Sequence, residues 1–141
     1  MFTGKSGFVT SVNDIVKLFT VVIFGNLVGC FLLSCFSEFH SDLQNLALMV
    51  VNKRIELGYY GNFLLAIPCG FIMTVAVNFA KQEKYLPLLF GVPVFILCGF
   101  IHCVADMGYY FLAKDFHIIL WLCAVIGNFI GCNIPRILIK K

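Results

Sequence analysis

Four long apolar stretches alternate with short polar ones along the chain. They cover residues 18–36 (LFTVVIFGNLVGCFLLSCF), 61–80, 85–113 and about 118–139. A helix needs roughly 20 apolar residues to cross the hydrocarbon core of a bilayer, so each stretch predicts a transmembrane helix. Between them, 37–60 carries SEFHSDLQ and NKRIE, 81–84 is KQEK and 114–117 is KDFH; these read as polar linkers. The third stretch is too long and too interrupted for one plain helix. Gly91, Pro93 and Gly99 precede His102, and Gly108 follows it. Irregular backbone at membrane depth is tolerated only where it is buried in protein or lines a cavity. The pattern therefore predicts two half-helices that meet near 99–106. His102 and Asp106 lie at that break, and ionisable groups inside a membrane are costly and mark transport paths.

Composition sharpens the class. Of 141 residues, 61% are hydrophobic and 12% charged, and the mean hydropathy is +0.98. A soluble domain of this size could not bury so much apolar surface. The fold class expected is all-α integral membrane, with about four transmembrane helices, one of them broken. A formal net charge of +3, spread along the chain, leaves no basic stripe for nucleic acid. The seven cysteines fall in apolar stretches without Cys-x-x-Cys spacing and read as small apolar residues. Cys98 and His102 share a helix face, but Cys103 points away and no fourth ligand stands out, so no metal or other cofactor is expected. No catalytic triad, phosphate loop or carboxylate pair is present, so no enzyme is expected. Lys5, Lys17, Lys81, Lys84, Arg136, Lys140 and Lys141 fall on one side of the four crossings, against Lys53, Arg54 and Lys114 on the other. By the positive-inside rule both termini are expected in the cytoplasm, in a multi-pass cytoplasmic-membrane protein.

The first and last stretches repeat a frame. FGNLVGC (24–30) and IGNFIGC (126–132) share Gly-Asn-x-(Val/Ile)-Gly-Cys. Gly25, Asn26 and Gly29 in one copy match Gly127, Asn128 and Gly131 in the other. Small residues four apart let membrane helices approach closely, so both copies read as packing seams. The two helices lie three crossings apart and run in opposite directions. An inverted repeat with a broken helix near the midplane is a mark of transporters and channels. MFTGKSGF (1–8) precedes the first copy at about the distance that DMGYYFLA precedes the second. The repeat thus predicts that the chain starts inside the equivalent of the broken helix, and the expected organisation is a single membrane domain, 1–141, lacking the N-terminal helix and a half of the full repeat.

These segments together resemble the formate/nitrite transporter family of pentameric anion channels. MFTGKSGF resembles the family's Leu-Phe-Thr-Gly segment, VIFGNLVGC its third helix and VIGNFIGC its sixth. CGFIHCVADM resembles the Gly-Phe-Glu-His-x-x-Ala-Asn-Met motif of its broken fifth helix. The resemblance covers the last two-thirds of an inverted-repeat, aquaporin-like six-helix fold. It implies His102 as the central pore histidine, Phe95 as an apolar constriction, and Phe2 and Thr3 as loop residues facing the histidine. It implies Met73 on a pore-lining helix, and Lys53, or Arg54 one residue on, as the cation of the outer vestibule. The chain departs from the pattern at Ile101, where the family has an acid, at Asp106, where it has asparagine, and at Gly70, where asparagine is common.

The function implied is transport of small monovalent anions: formate, nitrite, hydrosulfide or short carboxylates. A homopentamer in a lipid bilayer is implied with it. An ion crosses an apolar constriction poorly, whereas the neutral form of a weak acid can cross. A vestibule cation would gather the anion, and His102, with an unperturbed pKa of about 6.5, can donate a hydrogen bond or a proton. Asp106, four residues on, is expected either to partner His102 or to cap a half-helix. The competing expectation is a non-conducting truncated or partner subunit of such a channel.

Overall fold

The computed structural model describes residues 12–37 and 41–138. They form five helices: α1 (Val12–Ser37), α2 (Ser41–Ala80), α3 (Leu86–Leu97), α4 (Cys103–Ala113) and α5 (Ile118–Leu138). Among the described residues there is no strand. Val16–Cys35, Ser41–Ala80 and Ile118–Pro135 are each long and apolar enough to cross a membrane. The short helices α3 and α4 divide the predicted third span between them.

One predicted linker is not a loop. Residues 41–57 continue the helix that the pattern starts at 61. The polar run NKRIE hides a helical period: Ala47, Val51 and Arg54 fall on one buried face. Ala47 and Val51 pack with Tyr110, Leu112 and Ala113 of α4 and Leu120 of α5. A straight helix of 40 residues would run about 60 Å, twice the hydrocarbon thickness. Gly58 interrupts it with φ 65 and ψ −177, a conformation open to a residue without a Cβ. Downstream, Asn62 Nδ2 donates to the carbonyls of Arg54 at 2.6 Å and Gly58 at 2.7 Å, which ties the two sides of the kink together.

The main interface joins α2 to α5, and glycines set its closeness. A Cβ at Gly127 would meet Phe63 O at 2.5 Å and Ala66 Cβ at 2.7 Å. One at Gly131 would run into Ile67 O, and one at Gly70 into the backbone oxygen of Asn128. Interlocking small residues of this kind are how membrane helices gain dispersion contact without a hydrophobic drive between them. Gly70 is therefore a packing requirement of this chain: an asparagine there would push α5 away.

The matching frame in α1 sits differently. A Cβ on Gly25 or Gly29 would touch nothing within 4 Å. Asn26 Nδ2 bonds Val22 O of its own helix at 2.9 Å. Helix α1 leans on α4 instead, through Cys30 Sγ near Val104 O at 3.8 Å and an edge-on contact of Phe31 with Phe111. Large apolar side chains line the outside, among them Phe24, Leu89, Phe90 and Leu97.

Candidate functional site

The break lies where α3 stops, between Cys98 and His102. Gly99 takes φ 70. Its N–H donates to Ile96 O at 3.0 Å, and Phe100 N–H donates to Phe95 O at 3.0 Å. Those two bonds are the Schellman closure that a left-handed glycine permits. The chain then runs extended through His102 (φ −113, ψ 118), which is the N-cap of α4. Its Nδ1 accepts the Ala105 N–H at 3.4 Å, and its carbonyl accepts the Asp106 N–H at 2.9 Å. With Nδ1 turned to its own helix, the proton of the neutral ring sits on Nε2, leaving that N–H to donate outward. The first turn of α4 adds the positive end of a helix dipole at the same place.

Asn128 of α5 holds this turn from the side. Its Nδ2 donates to Ile101 O and to Ala66 O of α2, both at 2.8 Å, and its Oδ1 accepts the Cys103 N–H at 2.9 Å. The amide therefore grips the residue before His102 and the residue after it, and pins both to α2. Ile101 N–H donates to Leu65 O at 3.2 Å, and Trp121 Nε1–H donates to Cys103 O at 2.9 Å. Ile101 is fully buried and packs with Ala66 and Ala124. An unpaired acid at that apolar position would be costly.

The residues singled out from the sequence fall into three groups. Phe95 and His102 come together: their rings stack at 5.7 Å between centroids and 27° between planes. Met73 lies half-buried on α2, one turn past the Gly70 contact. Phe2 and Thr3 lie outside the described residues. Of the two vestibule candidates, Lys53 is exposed and Arg54 buried. Arg54 faces the break, and Asp106 answers it rather than His102. Arg54 Nη2 donates to Asp106 Oδ1 at 3.3 Å, and Nε lies 3.2 Å from Oδ2. The cap of α4 is His102 itself. Sequence reasoning missed Arg54's partner, Asn62 and Trp121, and took Asn128 for a packing residue. Polar groups inside spans, each able to donate, were the available signal. Among the described residues no three His, Cys, Asp or Glu side chains gather to hold a metal ion.

The profile of a family described as formate/nitrite transporter matches residues 3–138, nearly the whole chain. The chain belongs to the formate/nitrite transporter family. It is also similar to a Bacillus subtilis (strain 168) protein named "Uncharacterized transporter YrhG", with 30% identity over 134 residues. That match takes in 92% of this chain and 46% of the relative, so the chain spans about half the relative's length. No solved structure matches. Membership accords with the all-helical architecture of the described residues and their long apolar helices.

Proposed function

We propose that the protein conducts small monovalent anions of weak acids, such as formate or nitrite, past His102. The observation that carries this reading is the placing of His102 at the helix break. Its Nδ1 is engaged by the backbone, its outward donor is Nε2, and Phe95 lies stacked on one face of the ring. An anion reaching that point meets an N–H donor and the positive end of α4; Phe95 presents the apolar constriction. Passing it as the neutral acid avoids carrying a bare charge through apolar surroundings. Transport is then linked to a proton, and flux rises as the medium is acidified because more of the acid is neutral. Lys53, exposed on α2, is the cation suited to drawing anions in, since Arg54 is already engaged by Asp106. Both termini in the cytoplasm of a cytoplasmic-membrane protein, and a homopentamer, complete the proposal. Cross-linking in native membranes tests the pentamer.

The direct test is uptake of labelled formate, and of nitrite, into liposomes carrying the protein. Uptake that exceeds empty liposomes, grows at lower pH and is lost in His102→Ala is the expected result. Uptake unchanged in His102→Ala would remove the histidine from the path.

A further inference from the structure

We propose that Arg54 is a positioning residue that braces the break on both sides of His102, with Asp106 as its anchoring partner. The inference rests on His102 being the centre of the path. The guanidinium reaches the chain at two points, one on each side of His102. Its Nη1 donates to the carbonyl of Gly99 at 3.2 Å, three residues before the histidine. Its Nη2 and Nε meet the carboxylate of Asp106, four residues after it, at 3.3 and 3.2 Å. Both side chains are almost wholly buried, at 8% and 3% exposure.

The brace has a root as well as a grip. Asn62 accepts no role in the break, yet it holds the Arg54 carbonyl and the Gly58 carbonyl across the α2 kink. The two left-handed glycines, Gly58 in α2 and Gly99 after α3, are thus linked through Asn62 and Arg54. Asn128 makes the inner pair of contacts, at Ile101 and Cys103, and Arg54 makes the outer pair, at Gly99 and Asp106. A planar fork can satisfy a carbonyl and a carboxylate at once, which a lysine ammonium at the end of a flexible stem does less well. The departures from the family motif fit this arrangement. The acid absent before the histidine, where Ile101 is packed in apolar contacts, is present at Asp106 and faces the buried cation.

Two explanations of the pair make different demands. If it only balances charge, replacing both members by neutral residues of similar shape is harmless, as buried ion pairs often allow. If it positions His102, the neutral pair folds but the histidine loses its fixed orientation. The experiment uses Arg54→Met, Asp106→Asn and the double variant, with ¹⁵N-histidine solid-state NMR in bilayers. The His102 signal is assigned by its loss in His102→Gln. Arg54→Met and Asp106→Asn alone are expected to lower folded yield, since each strands a buried charge. The double variant is expected to recover yield, to show His102 as a mixture of tautomers instead of Nε2–H alone, and to lose most of its formate uptake. Arg54→Lys serves where the double variant does not fold: it keeps the charge and is expected to give the same mixed tautomers. A wild-type His102 spectrum in either variant would overturn the brace. The spectrum reads the brace even if the wild-type protein carries no formate, so failure of the transport proposal and failure of the brace remain distinct.

Discussion

Asn128→Ala removes one side chain and releases three bonds at the centre of the molecule. Ala66 O is a helical carbonyl, already placed to accept within α2. Ile101 O and Cys103 N–H sit at the break, outside any regular helix ladder, and lose the amide that spans them. Two orphaned buried backbone groups at about 1–3 kcal/mol each would cost about 2–6 kcal/mol. Side-chain hydrogen bonds between membrane helices are measured at about 0.6 kcal/mol on average, which for three bonds gives about 2 kcal/mol. Both routes meet near 2 kcal/mol, which is the expected loss. Unfolding in mixed detergent micelles with rising dodecyl sulfate measures it, followed by emission of the protein's one tryptophan, Trp121, which itself bonds Cys103 O. Asn133→Ala is the control, because Asn133 Nδ2 bonds Phe129 O of its own helix at 2.7 Å. Its expected cost is within about 0.5 kcal/mol. Equal costs for the two variants would refute the claim that Asn128 holds the break.

Three further outcomes are expected. Gly131→Val should disrupt the α2–α5 contact and lower stability strongly, whereas Gly29→Val, with open space around it, should leave this chain's stability nearly unchanged; the same micelle titration compares them. Arg54→Ala should cost about 3–5 kcal/mol by leaving Asp106 buried without its partner, while Lys53→Ala should leave folding intact and weaken only anion uptake at low substrate concentration. Trp121→Phe keeps the ring in place but drops the bond to Cys103 O, so a loss of about 1 kcal/mol is expected by chemical denaturation followed by circular dichroism.

Much of the architecture was legible because membrane helices announce themselves by length and hydropathy. The break was legible too: Gly99 stands where α3 ends, but the cap of α4 was not, since Asp106 was the capping candidate and His102 takes that place. What the pattern hid was helix 41–57. A charged run such as NKRIE looks like a linker until the period of Ala47, Val51 and Arg54 is followed, and Arg54 can be buried only because a carboxylate 52 residues away answers it. No local rule supplies that pairing. The two Gly-Asn frames show the same limit from the other side. They are alike in sequence, yet Asn128 joins three elements and Asn26 bonds its own helix, because only α5 has α2 and the break beside it. Ile101 and Gly70 stood out only as departures from the family pattern; in the structure Ile101 is buried among apolar neighbours, where an unpaired acid would be costly, and a Cβ at Gly70 would run into the Asn128 backbone.

The most direct test of the central claim compares formate uptake by the wild-type protein, His102→Ala and Asn128→Ala in the same liposome preparation, with the folded fraction of each matched by Trp121 emission. The expected result is uptake by the wild type and its loss in both variants, in the second despite an intact histidine. Full uptake by folded Asn128→Ala, or by His102→Ala, would contradict a path that depends on a histidine held at the break.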